Sequence, residues 1–393
     1  MNVRNTSDLI LIGIGGGGCQ LVENIAGSSD IPIRALRIDT DAGSRRESDK
    51  TPFLLFGGSR LSGHGAGGDV SKGRMAAQDD IATLASRLEG VKTAFVVTCL
   101  GGGTGTGATG EIVHSLHSQG LTVICLATKP FAFEGSYRND TAQNALPALE
   151  AEVNSLLVMP MDDLYSAAQD ANLPEATAKA GKKLCECVLL LWNILSKPGF
   201  ITLNSEILHT LANNGGRCHA SWAISGATSN RSGEILAALD ADPLLRQGAA
   251  IAESHALLVG IAGGEDMKLA EIGELMKALN EAVKPGCNVE MGTIVDPALN
   301  GTLGMTVFAF SSWNVVDTAF LPDSKDAVPG IPPIRSDFPV TAAVNKKKKH
   351  RPGNTIGFGP TGLGQFDNIE ASIYEGTNLD FPTYFRRNIV LEK

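Results

Sequence analysis

The chain has 393 residues, 43% of them hydrophobic, and carries 33 Lys plus Arg against 42 Asp plus Glu, a net charge of −9 at pH 7. This length suggests two or three domains with a large buried core, and the acidic balance argues against general affinity for nucleic acid, which needs a basic face. The seven cysteines include no CxxC pair, and no apolar run reaches the ~20 residues of a membrane helix, so we expect a cytoplasmic protein with free thiols.

The first part of the chain alternates apolar runs with helical stretches. Leu9–Ile14 predicts a buried parallel strand, and a predicted helix over Gln20–Ala26 follows it. Further strands are predicted over Ile33–Ile38, Thr93–Thr98 and Leu121–Ala127. Strands that alternate with helices are typical of an α/β domain with a mostly parallel sheet.

A long helix is predicted over Asn172–Ser196. Asn172 is a good capping residue, and apolar residues such as Leu184 and Leu191 recur at helical spacing. At 1.5 Å per residue this helix would span roughly 37 Å. Pro198-Gly199 ends the pattern.

A second set of elements follows the long helix. The four strands are predicted over His219–Ser225, Ala256–Ala262, Val289–Val295 and Met305–Phe310, and the two helices over Glu234–Leu239 and Leu269–Ala282. This content predicts a smaller α+β domain.

The composition changes after Asp317, where Pro, Gly, Asp and Ser dominate and Lys346–Lys349 forms a basic run. Such a segment is typical of a disordered linker. Leu379–Arg387 (LDFPTYFRR) then brings back aromatic residues, which indicates a recognition peptide that orders on binding. The alternative is a strand or helix that packs on the body of the protein.

Two glycine clusters follow predicted strands. The first, Gly13–Gly18, fits G-x-G-x-x-G between a strand and a helix, where N–H groups unobstructed by a Cβ can face a phosphate. On its own this pattern also suits an NAD-binding unit with Asp39 as the ribose ligand, or a tight packing turn.

The second cluster, Gly101–Gly107, reads GGGTGTG and precedes a predicted helix over Ala108–Ser118. Its two threonine hydroxyls add donors to a backbone nest, which suits a polyphosphate. Two such loops indicate a mononucleotide triphosphate held from both sides, whereas a dinucleotide-dependent oxidoreductase needs one. Neither loop contains a lysine, so the GxxxxGK[ST] pattern of P-loop NTPases is not met.

GGGTGTG is the signature of the tubulin and FtsZ superfamily, and neighbouring segments strengthen the resemblance. Gly63–Arg74 is similar to the GAGxNPxxGR loop of FtsZ, and Thr128–Arg138 is similar to its TKPFxFEGxxR segment. Asp39–Ala42 resembles the NTDA segment, and Leu379–Arg387 resembles the terminal anchor peptide. The resemblance covers nearly the whole chain except the linker.

This resemblance implies a Rossmann-like parallel-sheet nucleotide-binding domain, joined by the long central helix to the smaller α+β domain, with GTP or GDP and Mg²⁺ as ligands. The residues that it places at the nucleotide are Gly15, Gly16, Gly17, Gly18, Gly102, Gly103, Thr104, Gly105, Thr106 and Gly107 around the phosphates, Ala66 and Gly67 beside the γ-phosphate, and Glu134 and Arg138 near the ribose. Magnesium would keep mostly water and phosphate ligands, so we expect no metal-binding cluster in the protein.

The sequence departs from the family pattern at the base. Lys182 stands where the family has the Asp that reads guanine. Lysine offers only donors, whereas guanine N1 and N2 are themselves donors and need an acceptor. No carboxylate lies between Glu175 and Glu186, so we expect guanine recognition to be weakened.

The loop after the central helix also departs from the family pattern. Where FtsZ presents D-x-x-D, this chain has Asn204 and Ile207, and Glu206 is the one carboxylate nearby. In the family this loop completes the nucleotide site of the next subunit, which implies a head-to-tail filament. We therefore assign Glu206 and Asn204 as the catalytic residues of a slow, polymerisation-dependent GTPase.

The resemblance as a whole implies a cytoplasmic GTP-binding protein of bacterial cell division at the septal ring. It would bind itself and, through Leu379–Arg387, a membrane-anchor protein of the FtsA type. The alternative is a nucleotide-binding scaffold with little hydrolysis or weakened guanine specificity. We expect the nucleotide-binding domain over 1–171, the central helix and its loop over 172–214, the α+β domain over 215–317, the linker over 318–371 and the terminal peptide over 372–393.

Overall fold

A computed structural model describes residues 7–29, 31–165, 173–197, 199–203, 205–213, 216–311, 373–374 and 377–378. The chain divides into two compact units, Met1–Leu321 and Pro322–Lys393. The predicted linker and the peptide Leu379–Arg387 lie outside the described residues.

The first part of the larger unit alternates strands and helices, as predicted. The strands are β1 (Leu9–Ile14), β2 (Ala35–Asp39), β3 (Phe53–Leu55), β4 (Thr93–Cys99), β5 (Thr122–Lys129) and β6 (Ser155–Pro160). The helices are α1 (Gly15–Ser28), α2 (Gly58–Leu61), α3 (Val70–Asp80), α4 (Ala82–Ala85), α5 (Gly103–Ser118), α6 (Ser136–Glu152) and α7 (Met161–Tyr165).

The central helix and the later elements complete this unit. They are α8 (Leu173–Ser196), α9 (Ser205–Asn213), β7 (Arg217–Ser225), α10 (Arg231–Asp240), α11 (Ala249–Glu253), β8 (Ala256–Gly263), α12 (Leu269–Ala282), β9 (Asn288–Val295) and β10 (Leu303–Ser311). The predicted central helix, four strands and two helices are confirmed, and their boundaries shift by a few residues at most.

The described strands of this unit form one ten-stranded sheet in the order β3-β2-β1-β4-β5-β6-β7-β10-β8-β9. The segment from β3 to β6 is parallel, and only the pairs Leu156–Arg217 and Leu157–Cys218 join it to β7. The order 3-2-1-4-5-6 places a topological switch point between β1 and β4. In open α/β sheets a ligand binds outside the carboxyl ends of the strands at such a point, and both glycine clusters follow these two strands.

Two predicted helix starts are wrong. Helix α1 begins at Gly15 rather than Gln20, and α5 begins at Gly103 rather than Ala108. The low helix propensity of glycine argued against these positions, but packing overrides propensity here. A Cβ on Gly107 would lie 2.1 Å from the carbonyl oxygen of Val70 in the neighbouring α3.

Helix α8 packs along the sheet and is buried on several sides, as its wide apolar stripe predicted. Its side chains Cys187, Leu191 and Trp192 are almost fully buried. The ring of Trp192 lies 6.1 Å from that of Phe95 on β4, measured between centroids. This packing fixes α8 beside the strands that carry the glycine clusters.

In the smaller unit, the described residues form an antiparallel pair of short strands, β11 (Ile373–Tyr374) and β12 (Thr377–Asn378). Within the described ranges of both units, we find no helix with the length and apolar character to span a membrane.

Candidate functional site

A cavity of about 510 Å³ lies at the carboxyl ends of β1 and β4, and we call it the glycine cavity. Of the residues singled out in the sequence, eleven line it: Gly15, Gly16, Gly17, Ala66, Gly67, Gly102, Gly103, Thr104, Gly105, Glu134 and Arg138. Helices α1 and α5 both begin here, so two positive helix ends face one cavity. This arrangement suits an anion that carries several negative charges.

The two glycine clusters touch each other, and only glycine permits this contact. Gly15 has φ +74°, and a Cβ on it would lie 2.9 Å from the amide nitrogen of Gly105. A Cβ on Gly17 would lie 2.6 Å from Sγ of Cys99. Burial raises the pKa of the Cys99 thiol, so this thiol stays protonated and offers no thiolate nucleophile. A side chain on Gly15 would push the two loops apart, and one on Gly17 would push α1 away from the end of β4.

Threonine hydroxyls hold the second cluster in place. Thr98 Oγ1 donates to the carbonyl oxygen of Gly105 at 2.9 Å, and the hydroxyls of Thr40 and Thr104 are 2.6 Å apart. Thr106 Oγ1 accepts the amide hydrogen of Gly101 at 2.9 Å. Thr106 therefore stabilises the loop and does not line the glycine cavity.

Two predicted phosphate ligands are packing glycines in this structure. A Cβ on Gly18 would lie 2.5 Å from the carbonyl oxygen of Val97, and Gly107 is in close contact with Val70. Neither lines the glycine cavity. These glycines permit α1 and α5 to approach their neighbours, which positions the residues that do face the cavity.

Two carboxylates that we did not assign to the site also line the glycine cavity, Asp39 and Asp41. Asp39 accepts the amide hydrogen of Thr40 at 2.7 Å and the hydroxyl of Ser44. Asp41 accepts the amide hydrogen of Gly43 at 2.8 Å. Their position at the carboxyl end of β2, at the same sheet edge as both glycine clusters, was the signal in the sequence.

Glu134 and Arg138, four residues apart in the chain, form an ion pair at the rim of the cavity. The Glu134 carboxylate also accepts the amide hydrogen of Phe131 at 3.0 Å. The rings of Phe131 and Phe133 stack with centroids 4.7 Å apart, so aromatic side chains lie beside this ion pair.

A second cavity, of about 780 Å³, runs between α1 and α8, and we call it the helix groove. It shares Gly17, Cys99, Thr128 and Met161 with the glycine cavity, so the two are continuous. Lys182 lines the helix groove rather than the glycine cavity. The combined space can therefore hold a ligand with a charged end at the glycines and a larger group between the helices.

Glu206, one of the two predicted catalytic residues, lines neither cavity. The Glu206 side chain is 65% exposed and forms an ion pair with Lys92 at 3.0 Å, which lowers the pKa of its carboxyl group. Lys92 directly precedes β4, whereas the second glycine cluster follows it. Seven residues of strand at about 3.3 Å each separate the two ends by roughly 23 Å. Asn204 lies outside the described residues.

Comparisons with known proteins agree with this geometry. Residues 8–169 match the model described as the Tubulin/FtsZ family, GTPase domain, and residues 224–311 match the FtsZ family, C-terminal domain. The cell division protein FtsZ of Pseudomonas putida is 30% identical over 309 residues, which are 78% of this chain and 77% of that protein.

Solved structures share the fold. The FtsZ dimer of M. jannaschii has a TM-score of 0.72 at 24% identity, over 78% of this chain and 89% of that one. CetZ2 from Haloferax volcanii, solved as a GTPγS-bound protofilament, has a TM-score of 0.64 at 23% identity, over 77% of this chain and 93% of that one.

Proposed function

The chain is a divergent member of the FtsZ family, and we propose that it binds GTP or GDP in the glycine cavity, assembles head to tail into filaments of cell division, and hydrolyses GTP slowly between subunits. One observation carries the proposal. Both glycine clusters close on a single cavity at the switch point of the sheet, while Glu206 lies beside the opposite end of β4.

The glycine cavity supplies what a polyphosphate needs. Two helix N-termini bring backbone N–H groups and positive dipole ends to it, and the glycines leave those groups accessible. The matched GTPase domain includes both glycine clusters. This match argues against the alternative function of a dinucleotide-dependent oxidoreductase. Gly15, Gly105 and Thr104 are the residues that we expect closest to the phosphates.

The side-chain oxygen atoms around the glycine cavity are suitable ligands for Mg²⁺. Asp39, Asp41 and Thr104 line the cavity and present carboxylate and hydroxyl oxygens, which hard cations prefer. Across the residues that the structure describes, no group of three or more His, Cys, Asp or Glu side chains could hold a metal ion. Magnesium would thus be held mainly by the phosphates and water, and it would neutralise phosphate charge.

The carboxyl end of α8 and the residues just after it have the features of a subunit contact. Phe200 is 94% exposed and Ile201 is 45% exposed, just after α8 and close in sequence to Glu206. Exposed apolar side chains of this size are typical of interaction sites. A repeated contact between this end and the glycine cavity of another subunit is heterologous, and it generates an open filament.

Hydrolysis is proposed to depend on Glu206 of the neighbouring subunit. A carboxylate there would position the attacking water, but Lys92 already engages it and lowers its pKa, which weakens it as a base. The same ion pair favours the second candidate function, a nucleotide-binding scaffold with little hydrolysis.

Sedimentation and phosphate release, each measured with GTP and separately with ATP, test the proposal. Filaments that pellet with GTP and release phosphate slowly support the GTPase. Pelleting without phosphate release supports the scaffold. If GTP causes no pelleting at any protein concentration, head-to-tail assembly is wrong.

The terminal peptide is proposed to recruit a membrane anchor of the FtsA type and so place filaments at the division site. Leu379–Arg387 carries two Phe, one Tyr and two Arg, which suit capture by a partner groove. Deletion from Asn378 onward should leave pelleting with GTP unchanged and abolish membrane-associated rings in cells. Normal rings in the truncated strain would contradict the recruitment role.

A further inference from the structure

The helix groove differs in chemistry from the glycine cavity that it joins. Its floor is apolar and includes Leu21, Leu184, Cys185 and Leu189. Leu184 and Cys185 are buried, and the Cys185 thiol lies 3.8 Å from the carbonyl oxygen of Leu21. This floor joins α1 to α8 and offers an apolar surface beside the proposed phosphate site.

Polar side chains form the two walls of the groove. On the α1 side, Gln20 Nε2 donates to Asn24 Oδ1 at 3.0 Å. On the α8 side, Lys182 Nζ and Glu186 Oε1 are 3.6 Å apart, one helical turn from each other. An apolar floor between polar walls fits a planar heterocycle, which has apolar faces and hydrogen-bonding edges.

Glu186 is the more enclosed member of the ion pair. Its side chain is 31% exposed, whereas that of Lys182 is 74% exposed. Burial raises the pKa of Glu186, and the neighbouring Lys182 opposes this effect. An ionised carboxylate has only acceptor oxygens and an ammonium group only donors, so this wall presents an acceptor and a donor side by side.

We propose that Glu186 selects the guanine base of the bound nucleotide by accepting its N1–H and N2–H groups, and that Lys182 donates to its O6 atom. This inference rests on the proposed binding of a nucleotide in the glycine cavity. The continuity of the two cavities places the base in the helix groove once the phosphates are at the glycines.

The hydrogen-bonding edge of guanine matches this pair better than that of adenine. Guanine offers two adjacent donors, which a carboxylate can accept with both oxygens. Adenine offers one donor there and turns its N1 acceptor towards the carboxylate, which is repulsive. Hypoxanthine keeps O6 and N1–H and lacks the N2 amino group. The difference in affinity between GDP and IDP therefore measures the contact of Glu186 with N2–H alone.

Lys182 alone predicted weak guanine recognition, and Glu186 reverses that expectation. Residues four apart on a helix lie on the same face, so the acceptor is one turn further along α8. Gly181 on the same helix adds no side chain to obstruct the groove, and a Cβ on it would lie 3.8 Å from Leu21.

Binding of GDP, IDP and ADP, measured by calorimetry on the full chain, tests the inference. We expect the wild type to bind GDP roughly tenfold tighter than IDP, the lower end for a hydrogen bond to a charged group because Glu186 is partly exposed. Glu186→Ala should bind GDP and IDP with about equal affinity. Lys182→Met should weaken GDP and IDP by a similar factor, because both bases carry O6.

Glu281→Ala is the matched control, because Glu281 forms a similar i,i+4 pair with Lys277 on α12, at 3.9 Å. This variant should keep the wild-type preference for GDP over IDP. A melting curve should show that each variant is folded. A Glu186→Ala protein with an unchanged GDP to IDP ratio overturns the role of Glu186 and leaves nucleotide binding intact. If the wild type binds none of the three nucleotides, the proposed function is wrong and this inference with it.

Discussion

The two ends of strand β4 differ in how much of a functional site one chain supplies. At the carboxyl end, backbone from several loops closes on the glycine cavity, and hydroxyls such as Thr98 hold the loops in place. At the other end, Glu206 is exposed and contacts Lys92 instead of a cavity. Nucleotide binding is therefore expected to be a property of the monomer, and hydrolysis a property of the assembly.

The largest effect is expected from Gly105→Ser, which should disrupt nucleotide binding at the carboxyl end of β4. A Cβ at Gly105 would lie 2.3 Å from the carbonyl oxygen of Cys99, so the loop must move and the cavity must change shape. We expect GDP affinity to fall by at least about a hundredfold, or ~2.7 kcal/mol, in calorimetry.

Gly110→Ser is the control for that experiment, because Gly110 is on the same helix α5 with nothing within 4 Å of an added Cβ. It should bind GDP like the wild type. Wild-type affinity in Gly105→Ser would place the nucleotide site elsewhere.

Glu206→Ala should strongly reduce hydrolysis and leave nucleotide binding unchanged. This result would show that the two ends of β4 serve different functions. Loss of a positioned acid or base costs roughly 10²-fold or more, so phosphate release with GTP should fall by about that factor. Pelleting should be unchanged, because assembly needs only the nucleotide and the surface contact. Unchanged phosphate release in Glu206→Ala, with Glu281→Ala as the control carboxylate, would remove Glu206 from the mechanism.

Phe200→Ser should weaken assembly without affecting the monomer. The ring is almost fully exposed, so its loss should not destabilise the fold, whereas burial of a Phe at a contact contributes about 1.5–3 kcal/mol. We expect the critical concentration in sedimentation to rise roughly tenfold, with GDP affinity and the melting temperature unchanged. An unaltered critical concentration would exclude Phe200 from the subunit contact.

The smallest effect is expected from Lys92→Ala, which frees Glu206 from its ion pair. Exposed ion pairs are weak because water screens both charges, so phosphate release should rise by no more than about fivefold. Lys92 lowers the pKa of Glu206, and its removal returns that pKa towards the usual value.

The acid limb of the pH profile of phosphate release should therefore move to higher pH in Lys92→Ala, because Glu206 then protonates at higher pH. This shift is checked by measuring the pH profiles of the wild type and the variant with the same amount of pelletable filament. Superimposable acid limbs would show that the ion pair with Lys92 does not set the pKa that controls phosphate release.

Local patterns in the sequence were enough to predict the fold class and to bring the two glycine clusters to one site. Strand β1 and helix α12 have the predicted boundaries, Leu9–Ile14 and Leu269–Ala282. Both glycine clusters follow strands that lie side by side, so eleven of the proposed ligands share one cavity. The proposed domain boundaries and catalytic roles remain predictions.

Other features required the folded chain. The helix starts at Gly15 and Gly103 contradicted propensity, because contacts with neighbouring loops and helices outweigh the cost of glycine. The inward position of the Thr106 hydroxyl and the place of Glu186 in the helix groove likewise depend on how α5 and α8 pack.

Local patterns predicted strands such as β1 and β4 and the central helix α8, since apolar periodicity and glycine patterns act over a few residues. Tertiary structure alone decided that Glu206 contacts Lys92, which is 114 positions away in the chain, beside the end of β4 that is remote from the glycines. The path of the chain through α8 and α9 brings these two residues together. A one-dimensional pattern cannot specify such a path, because it follows from the packing of α8 against the sheet.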